Sequence, residues 1–577
     1  MSKFESFRRG EGEVPAKQQA WLIYGAGMEN VGQEGKPVEI PVPKCGPDQL
    51  LARIDAAGIC FSDIKIIRQG GSHPRLFGRD LQAEPMIAGH EVSCTIVRVG
   101  EELAGQYNVG DRFVVQADIY FQGKNLAFGY MLPGAFEQYV VFGDEVLRGD
   151  DGCYLIPVQP ETGYAEAALS EPWACVVCAY RTDFRRTLAE GGTAWIIAGE
   201  GAEGYTLGGL TEGPGPKKMV LTGAPADLSA EVTAAAETWG AEVVCTGSLA
   251  ETTVEAAQAA HAPEGFEDLI LLGTVSPELI EQASAAVGRH GVMALLGPAP
   301  SRPVEIDLGR IHYDYIRYYG SAGKDVSVAY AETRHPNYEP GGKAWIAGGG
   351  GPMGQMHVQI AAQAAQGPAL IVISDLDDER LELLRTRLEH VAGERGREMV
   401  LLNPQALGQE AFEARLRELA PNGFDDLHML VPVPPMIAGM VPWMGEQGVL
   451  DIFAGIPRGS VAATDLGPII TRGIRFQGTS GSAIEDLVQA LHMTETGEID
   501  ANAAVAAIGG LEAVHAGLQA VIDMLVPGKI VIYPQIQDLP LTPLRDLEDT
   551  LPEVAALLGP GGVWTRAAEK ALMEKLL

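Results

Sequence analysis

The 577-residue chain is poor in cysteine and in positive charge. Its seven cysteines (Cys45, Cys60, Cys94, Cys153, Cys175, Cys178 and Cys245) are odd in number and scattered. That excludes a disulfide framework and points to a reducing, cytoplasmic compartment. Lys and Arg number 42 against 76 Asp and Glu, a formal net charge of −34. Such a surface repels nucleic acid and anionic membranes, and its plain use is solubility. No apolar run reaches membrane-spanning length. Met1-Ser2-Lys3-Phe4-Glu5 leads into charged residues rather than a signal pattern. Cys175-Val176-Val177-Cys178 imitates a redox motif but lies in an apolar stretch, where helix packing explains it. What remains, 46% hydrophobic residues with 71 Gly, fits α/β domains, and the length calls for three or four of them.

The chain repeats itself. Ala194-Trp195-Ile196-Ile197-Ala198-Gly199-Glu200-Gly201-Ala202-Glu203-Gly204 returns as Ala344-Trp345-Ile346-Ala347-Gly348-Gly349-Gly350-Gly351-Pro352-Met353-Gly354. Gly265 to Leu269 returns as Gly423 to Leu427, and Gly320-Ser321-Ala322-Gly323 as Gly478-Thr479-Ser480-Gly481. The offset is 150 from Gly204 to Gly354 and 158 from Gly265 to Gly423, so one insertion of about eight residues is expected near Val391 to Arg397. Each copy alternates strand-like and helical stretches, the pattern of a doubly wound parallel sheet.

The copies differ in chemistry. In the second, Gly349, Gly351 and Gly354 follow a strand, and Pro352 and Met353 lead into a helix whose free amides suit a pyrophosphate. The next strand ends at Asp375, placed to bind ribose hydroxyls and to favour NAD over NADP. Arg380 completes the expected cofactor set. In the first copy Glu200 and Glu203 put negative charge into the loop. The following Tyr205 to Pro216 is too rich in Gly and Pro for a helix, and the second strand ends without an acid. This copy is expected to bind no dinucleotide.

Three blocks offer metal ligands of different hardness: Gly58-Ile59-Cys60-Phe61-Ser62-Asp63, Gly89-His90-Glu91 and Ser170-Glu171-Pro172. A thiolate, an imidazole and a carboxylate make a three-ligand zinc site with one open, catalytic position. With Pro85-Met86-Ile87-Ala88, Val109-Gly110-Asp111-Arg112-Phe113, Gly134-Ala135-Phe136-Glu137-Gln138-Tyr139-Val140 and Gly528-Lys529-Ile530-Val531-Ile532, these blocks stand in the order and context of the zinc-containing medium-chain alcohol and polyol dehydrogenases, which the chain resembles. The resemblance implies Cys60, His90 and Glu171 as zinc ligands, with Glu91 as a switching ligand or supporting partner. It makes Asp63 the residue that orients His90 and Ser62 the proton relay. The family's second, structural zinc is expected to be absent, because Arg112 to Gly134 holds no Cys.

The resemblance implies a GroES-like distorted β-barrel catalytic domain over 1–185, completed by 501–537. Two tandem Rossmann-like domains are expected between these segments: a degenerate one over 186–330 and a functional NAD-binding one over 343–500. Val328 to Gly342 reads as a linker. A helical tail, 538–577, has a helix start at Thr542-Pro543 and a last helix near Thr565 to Leu577. The implied activity is zinc- and NAD-dependent interconversion of a secondary alcohol and a ketone. Several stretches look most like sorbose-1-phosphate reductases, so a polyol or sugar phosphate is the expected substrate, with Arg68, His73, Arg75 and Arg79 as candidate phosphate ligands. A homo-oligomer, dimer or tetramer, is expected. Three alternatives stay open: a zinc and NAD lyase or epimerase using transient oxidation, a zinc-free reductase of the same fold, and a non-catalytic NAD-binding scaffold.

Overall fold

The computed structural model describes residues 3–248, 253–331, 334 and 336–577. Leu50–Ile59 (β1), a ten-residue strand buried along its whole length, is the axis of an eight-stranded sheet. It runs directly into helix Phe61–Gln69 (α1). Strand Glu91–Val99 (β2) lies antiparallel to β1, with Gly58 opposite Glu91. The other edge of β1 pairs with Lys529–Tyr533, which arrives from 470 residues further along the chain, with Ile59 opposite Ile530. Helix Ser170–Arg181 (α2) leaves this domain toward the repeats.

The first copy contributes strands Thr193–Ala198 (β3), Lys218–Thr222 (β4), Glu242–Cys245 (β5), Phe266–Leu272 (β6) and Val287–Leu296 (β7). Val304–Asp307 (β8) stands outside its sheet and Arg317–Ser321 (β9) closes it. The second copy has Lys343–Ala347 (β10), helix Pro352–Gln363 (α3), Leu370–Ser374 (β11), Glu398–Leu402 (β12), Phe424–Met429 (β13), Met444–Ile452 (β14), Val461–Thr464 (β15) and Arg475–Gln477 (β16). The parallel sheets have equivalent orders, β5-β4-β3-β6-β7-β9 and β12-β11-β10-β13-β14-β16, the nucleotide-binding 3-2-1-4-5-6 arrangement. Matching side chains repeat as well: Trp195 donates to the Thr222 hydroxyl and Trp345 to the Ser374 hydroxyl, both at 2.9 Å.

The expected single insertion is corrected by the strand registers. Equivalent residues are 150 apart on β3 and β10 (Ala194, Ala344), 152 on β4 and β11 (Met219, Ile371) and 156 on β5 and β12 (Glu242, Glu398). On β6 and β13 (Asp268, Asp426) the offset reaches 158. The extra residues are therefore spread over three connections. A surface connection absorbs a few residues at little cost, because closure entropy rises slowly with loop length.

The copies face each other. β8 pairs antiparallel with β15, from Val304 opposite Thr464 to Asp307 opposite Val461. Ile306, Leu308 and Tyr318 share one core with Ile469 and Phe476. Copy two also packs on the catalytic sheet: Trp173, Val176 and Tyr180 of α2 are buried with Ile346, Met356 and Val358. Of the expected linker, Glu332, Thr333 and His335 lie outside the described residues. Its start is a short helix, Val326–Ala329, and Tyr338 is buried.

The helical part of the tail starts where Thr542-Pro543 announced it, with Pro543 as the N-cap of the first turn. Thr542–Pro543 is a short strand pairing with Ala507 and Ile508, and helical turns begin at Leu544. An edge strand tolerates proline, which has no amide to offer the ladder. The last helix, Arg566–Leu576 (α4), is capped by Thr565, whose hydroxyl accepts from Ala568 at 3.0 Å. Buried Glu569 accepts the amides of Tyr164 and Ala165, each at 2.7 Å, and the Tyr533 hydroxyl at 2.9 Å. No helix among the described residues is long and apolar enough to cross a membrane.

Candidate active site

Three chain segments meet at one end of the catalytic sheet. β1 ends at Ile59, so Cys60 emerges there and serves as the N-cap of α1. β2 begins at Glu91, so His90 stands just before it. The third strand begins at Lys529. Cys60, His90 and Glu91 each place one ligand-capable atom within 4.8 Å of the other two. Asp63 fastens the two loops together: Oδ2 accepts the Cys60 amide at 2.9 Å, and Oδ1 accepts the Gly89 amide at 3.1 Å. Oδ1 also lies 3.3 Å from His90 Nδ1, beside the ring nitrogen it was expected to orient, though the contact lacks hydrogen-bond geometry.

Lys529 was not singled out from the sequence. Its buried ammonium pairs with Glu91 Oε1 and donates to the Ile59 carbonyl at 3.1 Å. Glu91 Oε2 is buried and has no hydrogen-bond partner. It lies against Gly58 so closely that a Cβ there would sit 1.9 Å from it, which explains the glycine. Glu171, at the start of α2, is buried but falls outside the 4.8 Å group. It still senses that group. Burial pushes its carboxyl up to about 7, His90 and Lys529 pull it down, and Glu91 and Asp118 push it up. Burial disfavours a charged His90 ring, but Asp63 and the Cys60 sulfur outweigh this and hold its pKa well above the ordinary value. One sulfur, one imidazole and two carboxylates, one of them with an orphaned oxygen, fit Zn²⁺. Ser62 is half-buried on the first turn of α1, two residues from Cys60.

The other expected cluster is mostly committed elsewhere. Arg79, read as a phosphate ligand, donates instead to the carbonyls of Glu84 at 2.9 Å, Pro85 at 3.1 Å and Met131 at 3.2 Å. A fork satisfied by backbone holds a loop together and has no free face for a phosphate. Arg75 is paired with Asp118 at 2.7 Å and lies 5.3 Å over the Tyr130 ring. The Tyr130 ring is 6.0 Å from that of His90 and 5.6 Å from that of His73. Arg68 is exposed, 5.7 Å over Phe61.

In copy two, Gly351 caps α3, Pro352 takes the first turn, and no side chain caps the helix, so its leading amides are open. A Cβ on Gly354 would lie 2.4 Å from the Gly348 carbonyl and 2.6 Å from Gly349 Cα, so the helix approaches the loop backbone as closely as only glycine permits. Asp375 accepts the Gly350 amide at 2.9 Å, and Arg380 reaches Asp377 at 3.4 Å and the Met524 carbonyl at 3.4 Å. Gln355 donates to the Pro527 carbonyl. The first turn of α3 thus touches the very segment that leads to Lys529. In copy one no α-helix follows the loop; a 3-10 turn, Gly208–Glu212, stands there. The position equivalent to Asp375 is Gly223, and Gly204 has a left-handed φ of +75° with open space around it.

Residues 46–148 match the alcohol dehydrogenase GroES-like domain. Mannitol-1-phosphate 5-dehydrogenase of Aliivibrio fischeri (strain ATCC 700601 / ES114) is 27% identical over 307 residues, 49% of this chain and 70% of that protein. L-sorbose 1-phosphate reductase of Klebsiella pneumoniae is 22% identical over 548 residues, 92% of this chain and 93% of its own length. Together these matches support the medium-chain alcohol and polyol dehydrogenase family. The fold of 2R,3R-butanediol dehydrogenase from Bacillus subtilis agrees, with a TM-score of 0.50 at 16% identity over 90% of this chain and all of that one. As a medium-chain dehydrogenase the protein is an oxidoreductase acting on alcohols, and zinc and NAD are the cofactors its family implies.

Proposed function

We propose that the protein interconverts a polyol phosphate or related sugar phosphate and its ketone, with one zinc held by Cys60, His90 and Glu171 and NAD(H) held by copy two. The convergence of the Cys60, His90 and Glu91 loops near Lys529, whose segment the first turn of α3 reaches through Gln355, carries this reading. Bound zinc would supply Lewis acidity toward the substrate hydroxyl, and bound NAD⁺ would accept the hydride. The chain's own residues do the rest. Asp63 fixes the Cys60 and His90 loops. Lys529 neutralises Glu91, so a second carboxylate is tolerated beside Glu171. Ser62, two residues from Cys60, takes the hydroxyl proton toward solvent. On the cofactor side, Gly349, Gly351, Pro352, Met353 and Gly354 open the helix end to the pyrophosphate, Asp375 takes the ribose hydroxyls and Arg380 flanks them.

The two named relatives that act on sugar phosphates support a phosphorylated substrate. Of the candidate phosphate ligands, Arg68 is the exposed cation; burial and the nearby Arg75 and Lys65 push the His73 ring toward its neutral form, and Arg79 and Arg75 are occupied by other partners. Copy one stands beside copy two without the cofactor chemistry, and a dimer or tetramer of whole chains is part of the proposal. The test is a screen of polyols and their phosphates with NAD⁺, reading the reduced-nicotinamide absorbance band. Net reduction with a phosphate, lost in Cys60→Ser together with zinc, is the expected result. Turnover of substrate with no accumulation of NADH would move the reading to a lyase or epimerase. Equal rates with and without phosphate remove the phosphate assignment.

A further inference from the structure

Copy one lacks the cofactor chemistry, yet its docking face carries polar side chains to a point where all three units meet. That point is Gly455, just beyond the end of β14. A Cβ there would sit 3.0 Å from Lys65 Nζ, 3.2 Å from the Tyr313 hydroxyl and 3.8 Å from His312 Nε2. Lys65 belongs to α1 of the catalytic domain, and His312 and Tyr313 end the helix Leu308–Tyr313 of copy one. Glycine keeps the spot open, because any side chain would fill it.

The spot lies at the mouth of the active site. Lys65 stands one helical turn beyond Ser62, so the two share a face of α1. Burial and the charges of Arg75 and Lys65 lower the pKa of His73. His73 leans on Tyr130, whose ring is 6.0 Å from that of His90. On the other side burial pushes His312 down to about 4, and Lys65 and Arg458 add to the shift. One ammonium is thus felt both at the catalytic mouth and in copy one.

The donors at this spot have nothing to hold. Among the described residues neither the Lys65 ammonium nor the Tyr313 hydroxyl has a hydrogen-bond or carboxylate partner, and Lys65 lies only 5.9 Å over the Phe61 ring. In a chain with 76 acidic residues against 42 basic ones, a half-buried lysine left without a carboxylate is an uncompensated cost. The two donors are close enough for one phosphate group to accept from both at charge-assisted distances of about 2.5–2.9 Å. His312 donates from Nδ1 to the Ile452 carbonyl at 3.1 Å, so its Nε2 carries a bare lone pair. Two donors, one of them charged, beside one acceptor suit a phosphate flanked by a hydroxyl.

Docking of the copies does not demand this set. The register that relates Arg317 on β9 to Arg475 on β16 makes Ile470 the counterpart of His312 and Thr471 that of Tyr313. The register of Val292 on β7 and Val449 on β14 makes Pro298 the counterpart of Gly455. Ile470 and Pro298 line one apolar pocket with Leu295 and Leu296. An apolar contact fills the matching place in the other half, so the polar set at Gly455 answers to something other than architecture.

We propose that Lys65 of the catalytic domain and Tyr313 of copy one grip the substrate's phosphate beside Gly455, with His312 Nε2 accepting from a neighbouring hydroxyl. The docking face of copy one is then one wall of the active site, which is incomplete without it. Arg68, a turn further along α1, stays at the rim. This deepens the reading of a polyol phosphate substrate and rests on it.

The test compares the polyol phosphate found by the substrate screen with the same polyol lacking its phosphate, using full-length zinc-loaded protein. The readout is the ratio of their kcat/KM values. Loss of a hydrogen bond to a charged group should lower that ratio roughly 10- to 150-fold in Lys65→Met and about 3- to 10-fold in Tyr313→Phe, while Lys65→Arg keeps most of it. Inorganic phosphate, as an inhibitor competing with the polyol phosphate, should weaken in Lys65→Met by the same factor. Calorimetric titration with NADH separates the two sources of phosphate. A wild-type constant in Lys65→Met is expected, and a raised one gives the ammonium to the dinucleotide and overturns the proposal. Equal losses on both polyols also overturn it. A wild type that does not prefer the phosphate removes the substrate reading and this subsite together. A preference that survives in Lys65→Met removes the subsite alone, and one that survives in Tyr313→Phe removes copy one from it.

Discussion

Gly354→Ala is the sharpest test of which copy carries the dinucleotide. The added methyl would lie 2.4 Å from the Gly348 carbonyl, 2.6 Å from Gly349 Cα and 2.7 Å from its carbonyl carbon. Ordinary carbon contacts are about 3.5–4.0 Å, so the loop backbone has to retreat by about 1 Å. Overpacking of this kind costs about 1–3 kcal/mol. The apo protein relieves it by opening the loop, whereas the bound state cannot, so the cost falls on binding. At about 1.4 kcal/mol per decade, the NADH dissociation constant should rise roughly 5- to 150-fold. Gly204→Ala in copy one is the control. Its methyl would meet only Lys324, at 3.8 Å, and the left-handed φ of +75° strains free and bound protein alike. Calorimetric titration of both variants with NADH separates them. A wild-type constant for Gly354→Ala, or an equal loss in Gly204→Ala, would refute the assignment of the cofactor to copy two.

Three further outcomes rest on Lys529, Glu137 and Cys60. Lys529→Met removes the partner of Glu91 while leaving that carboxylate buried, a change that costs about 3–5 kcal/mol. Denaturant unfolding should show that loss, much of it recovered by adding Glu91→Gln, and a Lys529→Met protein within about 0.5 kcal/mol of wild type contradicts the pairing. Glu137 is buried on Gln18 alone, at 2.8 Å, and burial raises its carboxyl pKa well above the usual range despite that bond. A carboxyl with a raised folded pKa stabilises the fold below its unfolded value, and that contribution is lost as pH climbs through the folded value. Glu137→Gln should therefore raise the melting temperature at pH 8 and leave it unchanged at pH 4. Finally, Cys60→Ser should lose its catalytic zinc and turnover yet bind NADH with the wild-type constant, and a parallel loss of NADH affinity speaks against separate sites.

Much of this was legible in the sequence because local backbone demands are written in local residues. Gly349, Gly351 and Gly354 followed by a strong helix former announce a close-packed phosphate loop, and the Gly-Pro run from Tyr205 to Pro216 announces the missing helix. The metal blocks were legible by their family context alone. What stayed hidden depends on pairings distant in the chain. Lys529 meets Glu91 only because its strand lies beside β1, 470 residues from Ile59. Arg79 looked like a free cation because its acceptors are backbone carbonyls, which no side-chain pattern reveals. The offset growing from 150 to 158 looked like one insertion because only its end values carry recognisable motifs. Lys65 and Tyr313 are brought to Gly455 by the docking of the domains alone.

The antiparallel ribbon of β8 and β15 ties two related halves within a single polypeptide. A symmetric pair assembled from identical chains must accept every substitution twice, once on each side of its axis. A pair encoded in tandem is free of that constraint. One half can discard its ligand chemistry and keep only its docking surface while the other is refined, and the molecule settles into a permanent division of labour.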